Sequence, residues 1–276
     1  MRKNPRQSCT SDRQQGFTMI EMLVTMTVLV AILGIVFSYI GRLQKTYKAE
    51  ETKVDATQEA RTFFDSLQRE LHSAGFPNHN MYGTGILNAT AANDSKNAVG
   101  LVSVTKWDLT FEGDVDGDGI VEDVRYTLLD SASNIATSAS TCPCTLQRTQ
   151  VQKVNGTAPT SQISDATVTA SGVAVLNNIL NSSDTPGGTA LALTGNADFG
   201  GHAKSYDTVY SGYKKAPVFQ AFLDDGTLAT LPANATDLPK IRTIVVSVNL
   251  LANYADMQTD LRLPLSMTTT IKLNNF

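Results

Sequence analysis

The sequence predicts an α+β protein in which a long N-terminal α-helix packs against an antiparallel β-sheet head. Residues 22–40 form an apolar block without a charge, and residues 42–73 are rich in helix formers, without proline or glycine. Beyond residue 100, apolar and polar residues alternate as they do in strands. A chain of 276 residues with such a helix keeps roughly 200 residues for one sizeable core.

The first element is a membrane-length helix, which we predict over residues 17–41. Its charge-free run of 19 residues spans about 28 Å at about 1.5 Å per residue, close to the hydrocarbon thickness of a bilayer. Residues 1–16 hold four basic residues and one acid. This positive charge favours a cytoplasmic N-terminus.

Two simple explanations of the apolar helix fail. A secretory signal peptide has a shorter apolar core followed by small residues at a cleavage site, whereas RLQKTYKAEETK follows here. A plain membrane anchor explains the length of the helix. It does not explain Glu21 at the edge of the apolar block, where an unpaired carboxylate is costly.

The residues around Glu21 carry a more specific pattern, Gln15-Gly16-Phe17-Thr18-Met19-Ile20-Glu21. It resembles the prepilin signature of type IV pilins and type II secretion pseudopilins, in which a basic leader ends in glycine before an aromatic residue. The resemblance implies that prepilin peptidase removes residues 1–16, cutting between Gly16 and Phe17, and methylates the new amine of Phe17. It also implies that Glu21 pairs with the Phe17 amine of a neighbouring subunit and sets its axial register, since a buried charge is tolerated when paired.

The helix is predicted to continue as an amphipathic segment over residues 42–75. Apolar residues recur there at helical spacing, namely Ala60, Phe63, Phe64, Leu67 and Leu71. Gly75 and Pro77 then provide a stop signal. The resemblance to pilins places residues 17–41 in a filament core and residues 42–75 under the head.

The head is predicted to be a globular β-rich domain over residues 76–276. It begins with a hairpin, because Trp107, Leu109 and Phe111 alternate with polar residues, as do Val124, Tyr126 and Leu128 after the turn. The stretch 130–215 has little pattern, and we predict an insertion there.

The turn of the hairpin, Asp114-Val115-Asp116-Gly117-Asp118-Gly119, copies the first half of an EF-hand calcium loop. The twelfth loop position is Arg125 instead of an acid, although Glu122 occupies the ninth. Two interpretations stay open. Either the turn binds a structural Ca²⁺ between residues 114 and 123, with Asp114, Asp116, Asp118 and Glu122 as ligands, or its acids simply face water. No other cofactor is expected.

Three cysteines occur, and Cys9 belongs to the leader. Cys142 and Cys144 remain, separated by Pro143, and in an exported chain they could form a disulfide in a tight ring. Zinc is a weaker alternative, because two thiolates do not complete a tetrahedral site.

The head also resembles PilW-like minor pilins and the related J-class minor pseudopilins of type II secretion systems. The likeness rests on the hairpin with its acidic turn, the Leu146-Gln147-Arg148 segment, a long strand over residues 241–250 and a closing strand over residues 268–275. It implies a type IV pilin-like fold and a minor pilin that starts filament assembly or lies at the tip. A secretion pseudopilin, a pilus-borne adhesin or DNA receptor, and a large shaft subunit stay open as alternatives.

Composition and motifs argue against other classes of function. A formal net charge of −4 gives no electrostatic case for nucleic-acid binding. Nucleophile-elbow, zinc-protease, P-loop and dinucleotide motifs are absent from the sequence, so we predict that the chain is not an enzyme. Expected partners are prepilin peptidase, other minor and major pilins, the inner-membrane assembly platform and the bilayer. The expected location is the inner membrane, single-pass with a periplasmic head, and then the pilus filament at the cell surface.

Overall fold

The computed structural model divides the chain into two units, residues 1–45 and 46–276, which are described separately. It describes residues 16–82, 85, 91–137, 141–181, 192–193, 196–199, 202–214, 216–256 and 261–274. Residues 1–15, nearly all of the predicted leader, lie outside these ranges. Helix α1 runs from Met19 to Ser73 and contributes residues to both units, as the sequence predicted.

In the first unit, α1 is mostly apolar and nearly all of its side chains are exposed. Its most apolar window has a mean hydropathy of 2.5 and no buried residue, so this helix is long and apolar enough to span a membrane, a criterion that signal sequences also meet. Thr25 and Thr27 do not interrupt the apolar character of this part of the helix. Their hydroxyls donate to the carbonyl oxygens of Met22 at 2.9 Å and Val24 at 2.8 Å, within the helix itself.

In the second unit, α1 buries the apolar face that its spacing predicted. Ala60, Leu67 and Leu71 are fully buried, and Phe63 and Phe64 nearly so. The helix ends where Gly75 adopts a φ of 77° and donates its N–H to the carbonyl oxygen of Glu112 at 2.8 Å. Side chains rarely adopt such a φ, so glycine suits this position.

The head consists mainly of strands, as predicted. In chain order they are β1 (Leu101–Val104), β2 (Asp108–Gly113), β3 (Glu122–Leu129), β4 (Thr141–Cys142), β5 (Cys144–Gln152), β6 (Val173–Ile179), β7 (Ala192–Leu193), β8 (Asn196–Phe199), β9 (His202–Ser205), β10 (Phe219–Leu223), β11 (Ile241–Ala255) and β12 (Arg262–Lys272). The remaining elements are α2 (Asp165–Ser171), α3 (Tyr206–Val209) and 3₁₀ helices at His79–Met81, Ala91–Asn93, Pro159–Ser161 and Leu238–Lys240.

The main sheet has eight strands in the order β1-β2-β3-β5-β6-β11-β10, with β12 paired to β11, and all its pairs are antiparallel. The predicted α+β fold class is therefore confirmed. Strand β11 includes the strand predicted over residues 241–250 and continues to Ala255. Strand β12 overlaps the closing strand predicted over residues 268–275, but it begins earlier, at Arg262, and ends at Lys272. Two short pairs, β4 with β7 and β8 with β9, lie outside the main sheet.

The predicted hairpin is formed by β2 and β3, and its register separates two faces. Leu109 lies opposite Tyr126, and Phe111 lies opposite Val124. All four side chains join the core that also contains the buried residues of α1. Because side chains alternate along a strand, their neighbours belong to the opposite face of the sheet. Part of that face is covered by α2, whose Val168 packs in a second cluster with Leu129 and Ile163.

The start of the hairpin differs from the prediction at Trp107. This residue lies in a turn before β2, and a separate strand, β1, precedes the turn. Thr105 forms the turn with its hydroxyl, which accepts from the backbone N–H groups of Trp107 at 3.2 Å and Asp108 at 2.9 Å. The turn contains neither glycine nor proline, so no typical turn residue predicts it.

Part of the stretch predicted as an insertion, residues 130–215, belongs to the main sheet. Strands β5 and β6 lie within it and occupy the middle of the main sheet. Strand β5 lacks a clear alternation of apolar and polar residues, because polar residues lie on both of its faces. Thr149 is only 1% exposed although it is polar, and Gly172 at the end of α2 lies tightly against Thr149 and Gln147.

Candidate functional site

The segment predicted to be processed lies directly before α1. Gly16, Phe17 and Thr18 are exposed and precede the helix, and the Phe17 side chain is 73% exposed. Apart from the chain neighbours of Gly16, none of the described residues comes within 4 Å of the position that a Cβ on Gly16 would take. The described part of the chain therefore leaves the Gly16–Phe17 peptide bond uncovered on the side of Gly16.

Glu21 occupies the first turn of α1. Its backbone N–H donates to the carbonyl oxygen of Thr18 at 3.1 Å and lies 3.4 Å from the Thr18 hydroxyl. An acid is favoured here because the helix N-terminus is the positive end of the macrodipole. Among residues 16–82 and the other described ranges, none forms an ion pair or a side-chain hydrogen bond with the Glu21 carboxylate.

The acidic turn brings together three of the four predicted calcium ligands. Oxygens of Asp114, Asp116 and Glu122 all lie within 4.8 Å of one another. Asp118 is not part of this group, and its carboxylate accepts from the N–H of Ile120 at 2.8 Å. The turn is also stabilised by its own backbone, since both oxygens of Asp114 accept N–H groups of the loop glycines, at 2.7 and 3.0 Å.

Glu122 is the buried member of this group, being 1% exposed. Burial raises the pKa of Glu122 to about 7, and the charges of Asp116, Asp118 and Asp114 act in the same direction. The N–H of Val115, which donates to Glu122 at 3.0 Å, opposes this shift by lowering the pKa. Three carboxylates so close together suit a hard cation. The donor set thus fits Ca²⁺ in chemistry, with water or backbone oxygens needed to complete the usual six to eight ligands.

A buried charge cluster that the sequence analysis missed lies beside the turn. The Lys153 ammonium donates to Glu112 at 2.6 Å and to the carbonyl oxygens of Ala92 and Asn97, each at 2.7 Å. The side chains of Lys153 and Glu112 have no exposure. Asp123, directly opposite Glu112 in the hairpin, is also fully buried. Burial and the charge of Glu112 raise the pKa of Asp123 to about 8.

A second missed group joins α1 to the sheet. The Glu70 carboxylate accepts from the Arg148 guanidinium at 3.0 and 3.1 Å and from the Tyr126 hydroxyl at 2.8 Å. Arg148 lies on β5 and Tyr126 on β3, where they are partners in the strand register. The contact is therefore a polar link within the helix–sheet interface.

Cys142 and Cys144 form a disulfide between the end of β4 and the start of β5, with their Cα atoms 4.4 Å apart. Both cysteines are fully buried. Reactive cysteines are partly exposed. The burial of both cysteines therefore indicates that this disulfide is structural.

One comparison with known proteins bears on the N-terminus. A family model described as the prokaryotic N-terminal methylation motif matches residues 11–37, which include Gly16, Phe17, Glu21 and most of the apolar run. Searches of curated proteins and of solved structures find no match to this chain. The chain thus carries a prokaryotic N-terminal methylation motif, which supports its processing as a type IV pilin- or pseudopilin-type substrate of prepilin peptidase.

Proposed function

We propose that this chain is a minor pilin of a type IV pilus. The observation that carries the proposal is the methylation motif, in which Gly16-Phe17 and Glu21 precede a charge-free run of 19 residues that continues as α1. Prepilin peptidase cuts before Phe17 and methylates its amine. Cleavage at this point keeps the apolar helix, which a secretory signal peptidase would remove.

The exposed apolar side chains of α1 account for the two environments of such a subunit. Before assembly they lie in the inner membrane, with the head in the periplasm. In the filament they pack against the helices of other pilins. Contiguous apolar surface of this extent requires one or the other. Glu21 pairs with the Phe17 amine of the next subunit, because either charge alone would be costly among apolar side chains.

The assignment of this chain as a PilW-like minor pilin rests on the head. Its hairpin of β2 and β3, its acidic turn and its long C-terminal strands β11 and β12 support the assignment. A head of this size suits the filament tip or the initiating complex better than closely packed shaft positions. The role is structural, not enzymatic, and its partners are prepilin peptidase, the assembly platform and other pilins.

Processing is tested with two glycine variants expressed beside prepilin peptidase. Gly16→Val places a branched side chain before the scissile bond, and we expect the leader to be retained on an immunoblot. Gly34→Val is the matched control, because none of the described residues beyond the adjoining turns of α1 comes within 4 Å of a Cβ at Gly34 either. We expect that variant to be cut like the unchanged chain. Equal processing of both variants would contradict the proposed cleavage site.

The place of the chain in its system is tested by deletion and by filament composition. We expect loss of piliation without the gene, and few copies of the chain in sheared filaments. Loss of protein secretion with intact pili would instead indicate the type II pseudopilin. A dominant band in filaments would indicate a shaft subunit. Normal piliation with lost adhesion or DNA uptake would indicate the receptor alternative.

We further propose that the turn binds a structural Ca²⁺ through Asp114, Asp116 and Glu122. The cation would offset the repulsion among these carboxylates, so we expect Ca²⁺ to raise the melting temperature of the head and a chelator to lower it. Asp116→Asn should abolish the effect of Ca²⁺. Asp118→Asn is the matched control, an exposed turn aspartate outside the group of three. A melting temperature that ignores both Ca²⁺ and chelator would refute the site.

A further inference from the structure

A cleft of about 900 Å³ opens on the face of the sheet opposite α1. Its floor is formed by outward residues of β2 and β3, and its rim by the 3₁₀ helix Pro159–Ser161, the start of α2 and the segment around Pro232. Ligand pockets in proteins range from about 300 to 1,000 Å³, so this cleft is at the upper end. The functions proposed above do not use it.

The charged groups of the cleft balance one another. The Arg125 guanidinium donates to Asp108 at 2.7 Å and to Asp165 at 2.8 Å. Lys106 is the fourth charged residue in the lining, which therefore has two cations and two anions. Such a lining offers no net attraction to an ionic ligand and favours an uncharged one.

The cleft retains hydrogen-bonding capacity next to apolar surface. The Trp107 Nε1–H is buried and has no hydrogen-bond partner among the described residues. Arg125 has five N–H donors, and its contacts with described residues engage three of them. Thr160 adds an exposed hydroxyl group at the rim. The hydroxyl of Ser164 instead caps α2, where it accepts from the N–H of Thr167 at 3.2 Å. The indole itself and two prolines, Pro159 and Pro232, supply apolar surface.

We propose that this cleft binds a neutral oligosaccharide. Sugar rings combine an apolar C–H face, which an indole can cover, with hydroxyl groups that accept from N–H donors and pair with the hydroxyl of a threonine. Trp107 and Arg125 would be the principal contacts, with Asp165 as an acceptor at the rim. The inference goes beyond subunit assembly, since it concerns the head alone and does not depend on processing of the leader.

The test uses the full chain in a detergent without sugar groups, because a maltoside detergent would compete. Trp107 is the single tryptophan of the chain, so its fluorescence reports this site alone. We expect a saturable change with at least one of cellotetraose, maltotetraose and chitotetraose. No change with any of them at millimolar concentration would overturn the proposal. So would binding confined to tetragalacturonate or to a proline-rich peptide, which would identify an ionic or a peptide ligand instead.

Two threonine variants test the location of the site. Thr160→Arg adds a bulky cation at the rim, and we expect roughly tenfold weaker binding of the same tetrasaccharide. Thr169→Arg is the matched control, since Thr169 is also exposed and lies on α2 outside the lining. We expect its binding to equal that of the unchanged chain. Unchanged binding in Thr160→Arg, or equal weakening in both variants, would overturn the assignment to this cleft.

Discussion

Asp123 and Glu112 face each other across the hairpin, and Lys153 is the ammonium that pairs with the cluster. The three N–H donors of Lys153 are all engaged, one by Glu112 and two by backbone carbonyl oxygens. Both Asp123 oxygens are buried without a hydrogen-bond partner among the described residues. Burying Asp123 as a neutral, protonated acid therefore costs less free energy than burying it as a second carboxylate beside Glu112.

Asp123 makes the stability of the head depend on pH. The pKa of Asp123 is about 8 in the folded chain, whereas that of an aspartate in the unfolded chain is about 3.9. Burial and the charge of Glu112 raise the folded value, and the charges of Lys153 and Arg125 oppose this shift. The folded chain thus binds more protons between these values, and its stability falls as the pH rises through them. The raised pKa of Glu122 acts in the same direction.

We expect Asp123→Asn, which needs no proton, to weaken this dependence. With chelator present, the free energy of unfolding of the unchanged chain should fall between pH 5 and pH 8, by at most roughly 1.4 kcal/mol per pH unit from this group. The free energy of unfolding should fall less steeply with pH in the variant. At pH 8 the variant should be more stable than the unchanged chain. Denaturant unfolding at each pH measures both. Parallel slopes in the two proteins would show that Asp123 does not stay protonated.

At the scale of elements, α1 and the hairpin were predictable because each has a local signal. Helical spacing of Phe63, Leu67 and Leu71 defined the buried face, and strict alternation defined β2 and β3. Strand β5 was predictable only in part. Leu146-Gln147-Arg148 resembled a strand of minor pilins, whereas a buried Thr149 looks like a surface residue until the nearby α2 is known. The link from Glu70 to β3 and β5 joins residues far apart in sequence, which no local pattern can reveal.

We expect Glu70→Gln to weaken the joint between α1 and the sheet. The neutral amide cannot balance the partly buried Arg148 guanidinium, so the free energy of unfolding should fall by about 1.5–3 kcal/mol. Glu51→Gln, at an exposed position of the same helix, serves as control and should change it by less than about 0.5 kcal/mol. Equal effects in chemical denaturation would exclude a specific role for the Glu70 link.

At the scale of the whole molecule, the N-terminal site was predictable and the contents of the head were only partly so. Gly16, Phe17 and Glu21 belong to a short contiguous motif, and the matching family model covers the same residues. The acidic turn is contiguous too, yet the fold alone shows that Glu122 joins Asp114 and Asp116 while Asp118 does not. The residues that line the cleft come from distant segments, so no contiguous sequence pattern predicts it.

The central claim is that the chain is cut after Gly16, methylated and retained with its apolar helix. Mass spectrometry of the mature protein, isolated from cells that contain prepilin peptidase, tests it most directly. We expect an N-terminal peptide that begins at Phe17 and carries one methyl group on its amine. A mature chain that begins at any other residue, or that keeps its leader, would contradict it.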